Sequence, residues 1–149
     1  MNACIIAYTF YELDLRVRRY AEALIEQGYN VDVIVLRRDN ENYEGILNNV
    51  KIYRPQKRSF KEKNIVSFLF NQLKFFILGS LVLLIKNITK RYKIIHIHNI
   101  PDYLIFMGLI PKLTGAKLIL DIHDIVPEYY CQKFNKSFDS FLVKLLLFI

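Results

Sequence analysis

Residues 93–99 read KIIHIHN, and residues 116–124 read AKLILDIHD. Each is a short apolar run ending in ionisable side chains, the pattern of a strand buried on both faces whose carboxyl end reaches a polar edge. In KIIHIHN the two histidines are two residues apart and so share a strand face, with Ile95 and Ile97 on the other. Asp121 and His123 share a face in the same way, and Asp124 marks the turn out of the strand. Between the runs, PDYLIFMGLIPKLTG opens on Pro101 and closes on Gly115, the asymmetry expected of a helix. The whole span reads as one βαβ unit.

The same alternation extends upstream. ACIIAY (3–8) has the length and composition of a first strand. In LDLRVRRYAEALIEQG, Leu13, Val17, Tyr20, Ala21 and Leu24 recur at helical spacing, Asp14 is placed to cap the start, and Gly28 supplies a left-handed stop. NVDVIVL (30–36) is a second strand, RRDNENYEG a polar stretch, and VKIYR (50–54) a third strand leading to Pro55. A basic, aromatic-rich helix is expected over 61–90 with a break at Gly79-Ser80, so KIIHIHN and AKLILDIHD become the fourth and fifth strands. Alternation with continuous apolar strands predicts right-handed crossovers around a parallel sheet, an α/β Rossmann-like domain with helices on both faces. The chain closes on SFDSFLVKLLLFI (137–149), an apolar helical pattern without a cap. The expectation is that a further domain, a partner or a membrane covers it.

A hydrophobic share of 53% in 149 residues excludes a disordered chain and suits one domain. Cys4 and Cys131 are too few and too far apart for a disulfide framework or a zinc site, which points to a reducing cytosol. The N-terminus has no basic region or small-residue cleavage site of a secretory signal. The net charge of +7 is unevenly placed: eleven Lys or Arg lie between Lys51 and Lys93 against one acid, Glu62. Such a field points to an anionic partner surface or to a solvated basic helix. Ile65–Ile85 approaches membrane length, but Asn71, Gln72 and Lys74 near its middle predict a buried or interfacial helix instead.

In an open parallel sheet, ligands bind beyond the carboxyl ends of the strands. Three polar clusters fall there: Tyr8–Arg16, His96 with His98 and Asn99, and Asp121, His123, Asp124 and Glu128. His96 reads as a hydrogen-bonded core histidine, whereas His98 and Asn99 can reach a sugar hydroxyl or phosphate. His123 is the main candidate for ligand contact, with a neighbouring carboxylate to fix its tautomer. Asp124 and Glu128 also suit structural capping. No G-x-G-x-x-G, G-x-x-x-x-G-K-[ST] or G-x-S-x-G occurs, so familiar dinucleotide, ATP and serine-hydrolase sites are unsupported. The aromatics of the basic helix suit a buried face better than a base-stacking platform, and nucleic acid is not expected as a partner. A metal-dependent phosphoesterase using Asp121, His123, His98 and Asn99 stays open as an alternative.

Together, His98-Asn99-x-Pro101-Asp102 and Asp121-x-His123-Asp124-x-x-Pro127-Glu128, with Asp14-x-Arg16 and the A-x-x-L-x-x-x-G-Y-x-V-x-V run, resemble the N-terminal domain of family-four glycosyltransferases of the GT-B fold. The resemblance covers almost the whole chain. It implies two Rossmann-like domains facing a cleft, with this chain the acceptor-side half and the C-terminal nucleotide-sugar domain absent from these residues. It implies retaining sugar transfer from a nucleotide-sugar to an envelope glycan or lipid-linked acceptor, without a metal or other cofactor. Such a half alone would be inactive, or a non-catalytic remnant that binds a membrane surface. By the same resemblance His123 acts on the donor sugar, and Arg16, His98, Asn99, Asp124 and Glu128 hold substrate. The basic region, with Lys57, Arg58, Lys61, Lys63 and Lys74, would dock on the anionic inner face of the plasma membrane. Many relatives carry a glycine pair after the first strand, whereas Tyr8–Leu13 has none.

Overall fold

The computed structural model describes residues 1–58, 65–99 and 101–122. Six strands form one sheet: β1 (Asn2–Ile6), β2 (Asn30–Arg37), β3 (Glu44–Leu47), β4 (Val50–Lys57), β5 (Ile94–His98) and β6 (Lys117–Asp121). Their order is β3-β4-β2-β1-β5-β6, and every pairing is parallel except β3 with β4. Helix α1 (Leu15–Glu26) follows β1, α2 (Ile65–Lys90) joins β4 to β5, and a 3-10 segment (Asp102–Gly108) running into α3 (Leu109–Leu113) joins β5 to β6. This is the expected α/β Rossmann-like sheet.

Strand alternation explains the two cores. Ile5, Ala7, Val31, Val33, Val35, Val50 and Ile52 face α1, where Val17 and Ala21 pack on them. Cys4, Ile6, Ile34, Leu36, Ile95 and Ile97 face the other way, towards Phe75, Val82 and Leu83 of α2 and Leu104 and Met107 of the 3-10 segment. Asp14 caps α1 as expected, its carboxylate accepting from the backbone N–H groups of Arg16 and Val17 at 3.1 Å each. Gly28 takes the left-handed conformation that ends it, at φ +82°.

Four local expectations are corrected. The polar stretch before the third strand contains β3, which pairs with β4 through a hairpin turned by Asn48 and Asn49, both at positive φ; asparagine tolerates that region. Strand β4 also runs on through Pro55 to Lys57. β3 pairs no further than Tyr53, and the β2 register shifts beyond Ile34, so the N–H that Pro55 lacks is not required there. Helix α2, described from Ile65 onwards, passes Gly79-Ser80 without a break, the missing Cβ of Gly79 making room for the Met107 methyl. The segment after Pro101 is mostly 3-10, with only one turn of α-helix, and Gly108 there fits beneath Leu118.

The basic field is also redistributed. Arg54 is buried and ion-paired with Glu12 and Glu41. Lys57 pairs with Asp39 at 2.9 Å, and Lys86 lies 3.5 Å from Glu44. Lys90 reaches the buried Asp32 on β2, which also accepts from the Tyr92 hydroxyl. Arg58 is half-buried, its guanidinium 4.4 Å from the Tyr8 ring centroid. Four cations of a run that looks unbalanced along the chain, Arg54, Lys57, Lys86 and Lys90, are thus matched by acids from other elements. Lys74 is exposed on α2, while Lys61 and Lys63 lie outside the described residues.

Candidate functional site

The sheet reverses its winding at β1: β2 and β4 lie on one side of it, β5 and β6 on the other. At such a switch point the loops leaving adjacent strands diverge and open a crevice at the carboxyl edge. That crevice is present. Thr9, from the loop after β1, Asn99, directly after β5, and Leu13, Asp14, Leu15, Arg16 and Arg19, at the start of α1, line an open groove of about 610 Å³. The capped N-terminus of α1 forms one wall, where the helix dipole and the Arg16 and Arg19 guanidiniums add positive potential. Two of the predicted site residues, Arg16 and Asn99, therefore meet in one groove although 83 positions separate their numbers.

His98 occupies a different place. It is buried at 2% exposure beside His96, whose ring stacks on its own with centroids 4.5 Å apart. Parallel register sets His98 opposite Asp121, and Asp121 Oδ2 lies 3.5 Å from His98 Nδ1 and 3.7 Å from His96 Nε2. Tyr20 of α1 covers both imidazoles, with ring centroids 4.7 and 5.3 Å away. The pairing of Asp121 is thus with the β5 histidines. The Asn99 backbone N–H donates to the Asp121 carbonyl at 3.0 Å, so the cluster stands directly beneath the groove's β5 lip.

His96, His98 and Asp121 each offer a ligand atom within 4.8 Å of one another, a donor set that suits zinc-like ions. With the Tyr20 ring across both histidines, the cluster is closed, whereas a catalytic metal needs an open coordination position. His123, Asp124 and Glu128 lie outside the described residues, as does the Asp121–His123 relation expected from strand alternation. Sequence reading did not single out Thr9, Arg19 or the lid role of Tyr20. Tyr20 counted as one more apolar position of α1, and only the register of β5 against β6 turns that position into a cover.

Comparisons with known proteins agree with the fold. Among solved structures, a sucrose-phosphate synthase from Thermosynechococcus elongatus matches 98% of this chain at a TM-score of 0.65 and 13% identity. The chain spans 39% of the length of that synthase. A partial chain of the same enzyme matches 83% of the sequence, covering 64% of its own length, at a TM-score of 0.57 and 16% identity. The C-terminal domain of a Pyrococcus furiosus hydrogenase matches 80%, covering 89% of its own length, at 0.53 and 16%. At these identities the likeness is one of fold. No curated protein sequence matches the chain. The family described as Glycosyltransferase Family 4 matches residues 15–149, from the first residue of α1 onwards. The chain belongs to Glycosyltransferase Family 4.

Proposed function

We propose that this chain supplies the acceptor-side wall of a sugar-transfer cleft, in an enzyme that moves a sugar from a nucleotide-sugar donor to an envelope glycan or lipid-linked acceptor. The observation that carries the reading is the groove at the β1–β5 switch point, where Thr9, Arg16, Arg19 and Asn99 converge. Family membership supports the reaction class. Arginine side chains and a helix N-terminus suit a phosphate-bearing ligand, and Asn99 can both donate to and accept from sugar hydroxyls. In this reading His123 contacts the donor sugar, Asp124 and Glu128 shape its loop, and transfer requires a second domain to close the cleft and exclude water. His98 acts through position, holding the strand end that presents Asn99. No metal or other cofactor takes part, and the enzyme works at the cytoplasmic face of the plasma membrane.

The test is transfer by the complete enzyme from radiolabelled uridine or guanosine diphosphate sugars. His123→Ala should abolish turnover, and Arg16→Ala should lower kcat/KM at least tenfold, roughly 1.4 kcal/mol of transition-state binding. Both variants turning over like wild type would sink the assignment. A metal-dependent phosphoesterase would instead hydrolyse a phosphate ester and lose activity on chelation.

A further inference from the structure

Beneath the groove, the two β5 histidines and the end of β6 form a second arrangement. His96 and His98 alternate onto the α1 face of β5, while Ile95 and Ile97 turn towards α2. The parallel register sets Ile119 opposite His96 and Asp121 opposite His98, so one carboxylate serves both imidazoles. Its Oδ2 lies 3.5 Å from His98 Nδ1 and 3.7 Å from His96 Nε2. An ordinary N–H···O bond is about 2.9 Å long. Donors held at ~2.0–2.1 Å by a tetrahedral ion stand ~3.4 Å from one another. The two separations fit the second figure. The three ligand atoms all fall within 4.8 Å of one another, so a small rotation of either imidazole about its Cβ–Cγ bond closes the triangle.

The placement is rigid and the donor set is selective. Both histidines are buried on a strand that is paired on either side, with β1 and with β6. Donors fixed on strands lose little freedom when an ion arrives. Two imidazoles with one carboxylate suit zinc and its first-row neighbours, whereas magnesium and calcium take oxygen ligands. Three protein donors leave one position of a tetrahedron to water. The Tyr20 ring lies across both imidazoles and keeps a substrate from that position.

We propose that His96, His98 and Asp121 form a structural site for a divalent transition-metal ion of the zinc type, which ties β5 to β6 under the β5 lip of the groove. The ion braces the fold and takes no part in sugar transfer. Because the Asn99 backbone N–H donates to the Asp121 carbonyl, fixing Asp121 also steadies the strand end that presents Asn99. The ligand set differs from that of the phosphoesterase alternative, which recruits His123 and Asn99 and leaves out His96. The inference does not rest on the transfer chemistry and is tested without a donor sugar.

The experiment is titration of the full chain, first stripped with chelator, with zinc chloride by calorimetry and with cobalt chloride by visible absorption. One ion should bind per chain with micromolar affinity, and Co²⁺ should show the intense d–d bands of four-coordination. Saturating Zn²⁺ should raise the unfolding midpoint by about 5 °C. His98→Gln and Asp121→Asn, their folds checked by circular dichroism, should each bind roughly tenfold more weakly or worse. The third histidine of the chain is His123, so the double variant His123→Ala with Cys131→Ser controls for uptake elsewhere and should bind as wild type does. Absence of saturable zinc binding, unchanged affinity in both cluster variants, or loss of binding in the control variant would overturn the proposal. So would the weak absorption of six-coordinate Co²⁺, which wild type reports even where the cluster variants fail to fold.

Discussion

Arg54 and Glu12, forty-two positions apart, form an ion pair that ties strand β4 to the loop before α1. Arg54 also lies 3.5 Å from Glu41, and its guanidinium passes so close to Gly45 that a Cβ there would meet it at 2.8 Å. Burial pushes the Glu12 carboxyl up, but its hydrogen bonds and the Arg54 charge outweigh that and hold it below its ordinary value of 4.5. A depressed carboxylate contributes stability that is present above its unfolded value and lost as pH falls through the folded one. Arg54→Ala should therefore cost about 3 kcal/mol at pH 7, read by urea unfolding, since it strands two acids around an emptied site. Below pH 4.5 the difference from wild type should shrink as Glu12 protonates. A constant difference down to pH 3 would show that packing, not charge, holds the pair.

Asp32 is buried on β2 between the Lys90 ammonium and the Tyr92 hydroxyl. Burial first, then the neighbouring Cys4 and Asp32, push the Tyr92 phenol far above its ordinary range, so it stays protonated and donates. Lys90→Met should destabilise by about 3 kcal/mol by leaving a buried carboxylate short of its cation. Adding Asp32→Asn should restore at least 1 kcal/mol of that loss. The double-mutant cycle reads the coupling directly, and strict additivity would refute it.

Two glycines differ in what surrounds them. A Cβ at Gly79 crowds the flexible end of Met107 at 2.7 Å and makes ordinary contact with Ile34 at 3.6 Å and Phe75 at 3.9 Å, whereas one at Gly108 meets three side-chain atoms of Leu118 between 2.6 and 3.4 Å. Gly79→Ala should be close to neutral, because about 1 kcal/mol of helix propensity offsets the Met107 shift. Gly108→Ala should cost about 2 kcal/mol by overpacking. Thermal unfolding of the two variants side by side checks the order, which must not invert.

The β3–β4 hairpin turns on Asn48 at φ 49° and Asn49 at φ 63°. Asn49→Gly should hold or slightly raise stability, while Asn49→Ala should lose about 1 kcal/mol in the left-handed region. Equal unfolding midpoints for the two would mean that the turn relaxes to another type.

Tyr20 is 41% exposed yet lies against both His96 and His98. Tyr20→Phe should leave stability unchanged, and Tyr20→Ala should lose about 1.5 kcal/mol of ring packing. Opening the lid should also strengthen uptake of Zn²⁺ by the His96–His98–Asp121 cluster. Zinc titration by calorimetry separates the two proteins, and equal uptake would show that Tyr20 is no barrier.

By itself the sequence determined whatever depends on near neighbours. The alternation of apolar runs, the Asp14 cap, the Gly28 stop and the shared face of His96 and His98 all follow from local periodicity and backbone preference, and each is present in the fold. The Arg16 and Asn99 candidates were legible because a parallel sheet delivers strand ends and helix starts to one edge. Only the tertiary structure decided the rest. Four strongly cationic positions between Arg54 and Lys90 proved to be paired, because their acids come from β2, β3 and loops remote in sequence. Pro55 sits inside a strand because its partner β3 ends before it and β2 shifts register. Asp121 meets His98 through the β5–β6 register, under a tyrosine that helical periodicity had assigned to the core. The exposed apolar face of α2 was hidden for the same reason. Residues apolar all round a helix look alike in sequence, and which arc is buried depends on the sheet it lands on.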